Sequence, residues 1–356
     1  MTYLLIFISF IGLLVIHETG HFLAARKFGV KVEEFGIFLP PKIYGKKIGE
    51  TLYSINLLPF GAFVRIFGQD SRTQEEGSFN SKPIWQRAII LFAGVFAFWL
   101  IAFLIYTIIF AVGVDQNISD NMEGFNNPKV QITGIAPGSP AEDSEIMIGD
   151  TVYSLTYNSE TIEVNKVSEV QEFILNNKGN EITLGIKRGD ENLEKTVTPR
   201  VEYPENEGSV GVGLIRTAIV KYPLWQAPLY GIKASIETPI EIIKGWGYVI
   251  SSAFKKESSN VSVVGPIGVV RMMNEAASFG LNYFLQFIAM IAIYLALFNL
   301  LPIPSLDGGR LFFLLIEKIK GGPIKEKIEQ GITAVFFLLL IGMFFVIMFK
   351  DIVALF

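Results

Sequence analysis

The chain has only two histidines in 356 residues, His17 and His21, and they frame the run His17-Glu18-Thr19-Gly20-His21. Four residues apart on a helix, both imidazoles leave one face and can reach a single metal ion. Glu18 lies about 100° further round, where its carboxylate can work on a water beside that ion. Chance places two histidines four apart with a glutamate after the first about 3 × 10⁻⁴ of the time, so the run reads as a metal motif. The competing reading, a pair of satisfied core histidines, needs polar partners for two imidazoles and a glutamate inside an apolar segment. That segment includes Leu4-Leu5-Ile6-Phe7-Ile8 and Ile11-Gly12-Leu13-Leu14-Val15-Ile16, apolar enough for a membrane span. A soluble zinc protease has no reason to place its glutamate there.

A catalytic zinc takes three protein ligands and keeps one position open. With no cysteine and no third histidine, the remaining ligand must be a carboxylate or a weaker oxygen donor. The apolar spans leave Asp307 as the candidate, in Asn299-Leu300-Leu301-Pro302-Ile303-Pro304-Ser305-Leu306-Asp307-Gly308-Gly309-Arg310. An ionisable residue at membrane depth is expensive and therefore a functional candidate. Taken alone, Asp307 reads equally well as the N-cap of the following helix. The histidine pair, one ligand short, favours metal ligation. Asn299 has two readings as well: a bond to the carbonyls of a broken helix, or a donor that stabilises an oxyanion or holds a substrate strand.

The elements that must position these residues belong to a membrane protein. Apolar residues make up 51% of the chain and aromatics 13%. Four segments reach spanning length, about residues 3–25, 88–114, 284–301 and 332–349. The first lacks a basic n-region and a small-residue cleavage site before its apolar core and carries the motif, so it reads as a retained span. Residues 26–87 hold ten Lys/Arg against six Asp/Glu, whereas residues 115–216 hold eight against eighteen. The positive-inside rule then places the first loop in the cytosol, with the acidic middle region and both termini outside.

Within the first loop, Thr51-Leu52-Tyr53-Ser54-Ile55 and Ala62-Phe63-Val64-Arg65-Ile66 alternate around Gly and Pro breaks, which predicts β-hairpins. Leu57-Leu58-Pro59-Phe60 is apolar enough to dip into the bilayer, where non-helical backbone must be satisfied by protein or a polar cavity. Residues 129–200 read as a soluble module. Val130–Thr133 and Thr183–Lys187 are predicted strands, and Val167–Asn176 is a predicted amphipathic helix. From Ala218 to Ser259 an amphipathic pattern with Trp225, Tyr230, Trp246 and Tyr248 suits helices on the outer membrane interface. The sequence holds no tandem repeat, nucleic-acid motif or phosphate loop.

The motifs His17-Glu18-x-x-His21 and Asn299-x-x-Pro302-x-Pro304-x-Leu306-Asp307-Gly308 together resemble the site-2 protease family of intramembrane zinc proteases. The likeness is to the bacterial branch that includes the regulator of sigma-E protease. Leu58-Pro59-Phe60-Gly61-Ala62-Phe63-Val64 is similar to the family's membrane-reentrant β-loop. Gly138-Ser139-Pro140-Ala141 with Gly149-Asp150 resembles a PDZ domain, and Gly265-Pro266-Ile267-Gly268 resembles a family stretch before the third span. The chain departs from the family in carrying one PDZ-like module, in having Ala62 where a second glycine is common, and in the stretch Ala93-Gly94-Val95-Phe96-Ala97-Phe98. That stretch lacks the asparagine often found near its end.

The resemblance implies an α-helical integral membrane protein of about four transmembrane helices, with a membrane-reentrant β-loop and an inserted extracytoplasmic PDZ-like α+β domain. The implied divisions are residues 1–114, 115–216, 217–280 and 281–356. The implied activity is peptide-bond hydrolysis within transmembrane segments, in the bacterial cytoplasmic membrane. Zn²⁺ is held by His17, His21 and Asp307, and Glu18 is the general base, with Asn299 assisting. Substrates are single-pass membrane proteins such as anti-sigma factors or signal peptides, held extended along Gly61, Ala62, Phe63 and Val64 and at Asn299. The PDZ-like module either binds a newly exposed C-terminus or excludes bulky ectodomains. Two rival functions remain: a silent membrane scaffold, which has no need of Glu18, and a metal transporter, for which the second and fourth spans offer almost no polar pathway.

Overall fold

The computed structural model describes residues 2–353 except 72, 126, 205–206 and 256–263. The chain opens with α1 (Thr2–Lys27), β1 (Val32–Ile48), β2 (Thr51–Ile66) and α2 (Ile84–Val112). There follow β3 (Val114–Asn117), β4 (Lys129–Ile135), α3 (Pro140–Asp143), β5 (Thr151–Tyr157), β6 (Glu160–Glu163) and α4 (Val167–Asn176). The remainder is β7 (Ile182–Arg188), β8 (Glu191–Val197), β9 (Val212–Val220), α5 (Ala227–Lys255), α6 (Pro266–Ser278), α7 (Leu281–Leu300), α8 (Asp307–Lys320) and α9 (Glu326–Val353). Two compact units result, Met1–Thr107 with Pro228–Glu275 and Leu285–Phe356, and Ile108–Ala227 with Ala276–Phe284.

Among the described residues, α1, α2, α7 and α9 are the helices long and apolar enough to cross a membrane. The shortest has 20 residues, which at 1.5 Å per residue spans about 30 Å, the thickness of a hydrocarbon core. In the first unit α1 buries Ile6, Leu13, His17, His21, Phe22 and Ala25, most of them along one stripe at helical spacing. Gly20 lies beside this stripe, where a Cβ would run into the Ala93 carbonyl and the Ala97 side chain. Small residues on both helices therefore bring α1 and α2 into close contact, the packing that membrane helices use in place of hydrophobic burial.

Helix α5 carries Pro239 in its interior. Proline has no N–H, so the carbonyl one turn earlier, at Ser235, loses its helical partner. The Trp99 indole N–H of α2 donates to that carbonyl at 3.0 Å, and the Tyr106 and Thr238 hydroxyls meet at 3.1 Å. The pattern expected from Ala218 to Ser259 is thus strand through Val220 and helix from Ala227 to Lys255, and residues 256–259 lie outside the described set. Helix α9 buries no residue. Thr333 donates to the Pro304 carbonyl at 3.3 Å, and the Asp351 carboxylate accepts the Gly265 and Gly268 N–H groups at 3.1 Å each.

The first loop is more β-rich than its alternating stretches predict. Strand β1 runs 17 residues and β2 16, and each bends back on itself. Phe35 therefore pairs with Val64 on one side and with Tyr53 on the other, while Lys46 pairs with Tyr53 from beyond. Across the sheet the order is 42–48, 51–56, 34–37, 62–66. Phe38 and Gly61 take left-handed backbone at the bends, a conformation that glycine adopts without strain. Residues 62–66 form one edge.

The second unit is a seven-stranded sheet in the order β3-β9-β4-β5-β7-β8, with β6 on β5. Alternating residues of β4 and β7, with Val152 and Leu155 of β5, form its core with Val170 and Ile174 of α4. Ser139 caps α3 by accepting the Glu142 N–H, with Pro140 in the first turn. Asp150 is fully buried and is held by Arg188 through bonds of 2.8 and 2.7 Å. The Gly-Ser-Pro-Ala and Gly-Asp signatures are thus a helix start and a buried ion pair. Strand β3 pairs antiparallel with residues 217–220 of β9, and Ile118 N–H continues the ladder to the Arg216 carbonyl at 2.8 Å. Asp120 then accepts the Val167 and Ser168 N–H groups at the start of α4. Burial opposes ionisation there, but those two N–H groups and Arg216 hold the Asp120 carboxyl below its ordinary pKa.

Candidate metal centre and catalytic cleft

The histidine pair meets Asp307 within the first unit, 290 residues further along the chain. His17 Nε2 lies 3.3 Å from Asp307 Oδ2 and His21 Nε2 lies 3.2 Å from it. The two imidazole nitrogens are 3.3 Å apart. A tetrahedral zinc with bonds of about 2.0–2.1 Å separates its ligand atoms by about 3.3–3.4 Å, so the triangle already has the right edge. Both histidines are buried.

The partner of His21 Nδ1 places one of its hydrogens. A carbonyl can only accept, so the 2.8 Å contact of His21 Nδ1 with the Ile90 carbonyl requires Nδ1 to carry the hydrogen. In the neutral ring that metal binding requires, His21 Nε2 then presents its lone pair to the centre. Asp307 Oδ2 is buried with no hydrogen-bond donor among the described residues. Lone pairs converging at a largely buried site repel one another unless a cation sits among them. Nitrogen, nitrogen and carboxylate oxygen are a donor set that zinc accepts, and among the described residues these three are the cluster of potential ligands found.

Local sequence explains how each ligand is held. Asp307 is the first residue of α8, and the N-cap is Leu306, with no capping side chain. The N-cap reading of Asp307 is thereby excluded. Two prolines end α7, and the chain turns through Leu301, Ile303 and Leu306, closed by the Leu306 N–H on the Ile303 carbonyl at 2.9 Å. A Cβ on Gly308 would strike the Leu300 and Leu301 carbonyls, and one on Gly309 the Ile303 carbonyl. The glycines after Asp307 thus let α8 start hard against the turn. Deeper in α8, Glu317 forms a two-point ion pair with Arg87 of α2, both largely buried. Losing one partner of such a pair leaves an uncompensated charge, at a cost of about 3–5 kcal/mol.

A cleft of about 270 Å³ opens on the centre, lined by His17, Glu18, His21, Phe63, Val64, Asn299, Ser305 and Asp307 among others. Glu18 faces it from the position the helix geometry predicts, and the Val64 backbone N–H donates to its carboxylate. Residues 62–66 are the edge of the sheet, and this edge borders the cleft. Phe63 and Val64 line the cleft, whereas Gly61 and Ala62 do not. Asn299 lines it as well, and its Nδ2 donates to the Leu295 carbonyl of its own helix at 3.0 Å. Among the described residues, one amide hydrogen and the oxygen stay available. A second cavity of about 440 Å³ adjoins, sharing Gln69, Asp70, Ser305 and Arg310.

Sequence reasoning missed the contribution of α2. Ile90 supplies the carbonyl that orients His21. At Gly94 a Cβ would collide with both imidazoles, and the Phe98 ring stacks on His17 with centroids 4.6 Å apart. These positions recur every four residues and so share one face. Among apolar neighbours only Gly94 offers a hint, as a glycine within a span.

Comparison with known proteins gives the family. The family model described as peptidase family M50 matches residues 5–343. A Clostridium perfringens protein named as a zinc metalloprotease is 33% identical over 350 residues, covering 97% of each chain. A Nostoc protein of the same description is 31% identical over 95% of this chain and 92% of its own. The regulator of sigma-W protease RasP of Bacillus subtilis is 27% identical over 98% of each.

Proposed function

The chain belongs to peptidase family M50 and is an intramembrane zinc metalloprotease, and we propose that His17, His21 and Asp307 hold its zinc while Glu18 is the general base. The observation that carries this reading is the buried triangle of lone-pair atoms with 3.2–3.3 Å edges. When bound, zinc polarises a carbonyl and makes water a better nucleophile at neutral pH. Glu18 takes a proton from the attacking water and returns it to the nitrogen that leaves as the scissile C–N bond breaks. Its carboxylate is aimed by the Val64 N–H. Asn299 donates its free amide hydrogen to the developing oxyanion or to the substrate backbone.

A spanning helix hides its peptide bonds in its own hydrogen bonds, so it must unwind before it is cut. The open edge at residues 62–66 is suited to hold the unwound segment as an added strand. The substrates in this reading are single-pass membrane proteins, of the kind that a regulator of a sigma factor acts through, and the membrane is the bacterial cytoplasmic one. In the β-rich second unit, which we read as PDZ-like, the C-terminal half of β9 is already paired by β3. A ligand strand finds only residues before Arg216 unpaired by β3, which supports exclusion of bulky ectodomains over capture of a long C-terminal tail.

The test is cleavage of a tagged single-span substrate in lipid vesicles, with the cut mapped by mass spectrometry. The cut is expected inside the apolar span, and cuts confined to the soluble flanks would reject intramembrane proteolysis.

Charge asymmetry supports an orientation with the first loop cytosolic and the acidic module outside. The absence of native cysteine allows single introduced cysteines to report it. In intact cells Ser159→Cys is expected to react with an impermeant thiol reagent and Ser71→Cys to be protected. The reverse pattern would put the module in the cytosol.

A further inference from the structure

The two histidines are held in different ways. His21 donates Nδ1–H to the Ile90 carbonyl at 2.8 Å, which fixes both its tautomer and its ring plane. His17 has no equivalent: its Nδ1 is buried without a hydrogen-bond partner among the described residues. Against its face lies the Phe98 ring, 19° from parallel and 4.6 Å away between centroids. Phe98 is itself 1% exposed, so packing locks its own rotamer. Gly94, one turn before it, leaves the ring edges of both histidines the space that any larger residue would fill.

We propose that Phe98 is a positioning residue for the metal centre, fixing the ring of His17 by stacking where a hydrogen-bond acceptor would otherwise do so. An imidazole can turn about its last side-chain bond, which is broad and roughly two-fold, and turning carries Nε2 away from the centre. A flat neighbour on the face opposes that rotation. A partner on Nδ1 opposes it too, as it does for His21. The arrangement makes His17 the ligand whose orientation depends on packing alone. Groups that orient metal-ligating histidines are worth about 10–100-fold in metal affinity, and Phe98 takes that place here.

The inference rests on His17 being a ligand, so the experiment separates the two claims. Detergent-solubilised, zinc-loaded protein is mixed with a chromophoric chelator and the rate of zinc release is followed, beside thermal melting of the zinc-free forms. Phe98→Leu keeps apolar volume without a flat face and is expected to release zinc about tenfold to a hundredfold faster, with the zinc-free melting temperature little changed. Phe98→Tyr keeps the stack and is expected to hold zinc as the wild type does. Wild-type release from Phe98→Leu would overturn the proposal. His17→Ala is the control: if it keeps zinc as the wild type does, the ligand assignment itself falls, whatever the Phe98 variants do.

Discussion

Glu18→Gln is expected to bind zinc as the wild type does and to cleave about 10²–10⁴-fold more slowly. The exchange keeps the size of the side chain and an oxygen that can accept the Val64 N–H, so the strand edge and the cleft stay in place. Only the capacity to carry a proton is lost. Because Glu18 is absent from the triangle of His17, His21 and Asp307, metal content should not follow activity. Zinc analysis and turnover of one tagged substrate, measured on the same preparation, check both halves of the expectation. Turnover near that of the wild type would show that another group moves the proton.

Asp307→Ala is expected to lower zinc from about one per chain to a small fraction of that, with cleavage lost alongside. His17→Ala and His21→Ala should do the same. The aspartate is the discriminating case, because at the start of α8 it has an alternative use. An acid in the first turn of a helix contributes only about 0.3–1 kcal/mol through the helix dipole, and Leu306 rather than Asp307 is the N-cap. If Asp307 served the helix alone, its removal would lower melting slightly and leave the metal untouched. Elemental analysis showing full zinc in Asp307→Ala would remove it from the ligand set.

Substitution at Ile90 has little power to test the centre, since the group that holds His21 is a backbone carbonyl. This shows where sequence reading stops. An acceptor that every residue possesses leaves no trace in side-chain types. The strand at residues 32–48 was illegible for another reason. Its bends at Phe38 and Pro40–Pro41 break the alternation that marks a strand, and its two sets of partners lie on different stretches of β2. The pairing of β3 with β9 joins residues about a hundred apart and was equally silent.

What the sequence determined by itself was local or set by composition. Four spans follow from the length of apolar runs, and the shared face of His17 and His21 follows from the pitch of a helix. Asp307 was reachable by elimination, because burying a carboxylate in an apolar span is costly enough to need a reason. The tertiary structure decided what depends on atoms meeting from distant segments. It set the 3.2–3.3 Å triangle, brought the Val64 N–H to Glu18, and placed Ile90, Gly94 and Phe98 around the two imidazoles. Periodicity reports which face of a helix is buried, but not which neighbour lies against it. The close approach of α1 and α2 at Gly20 made that choice.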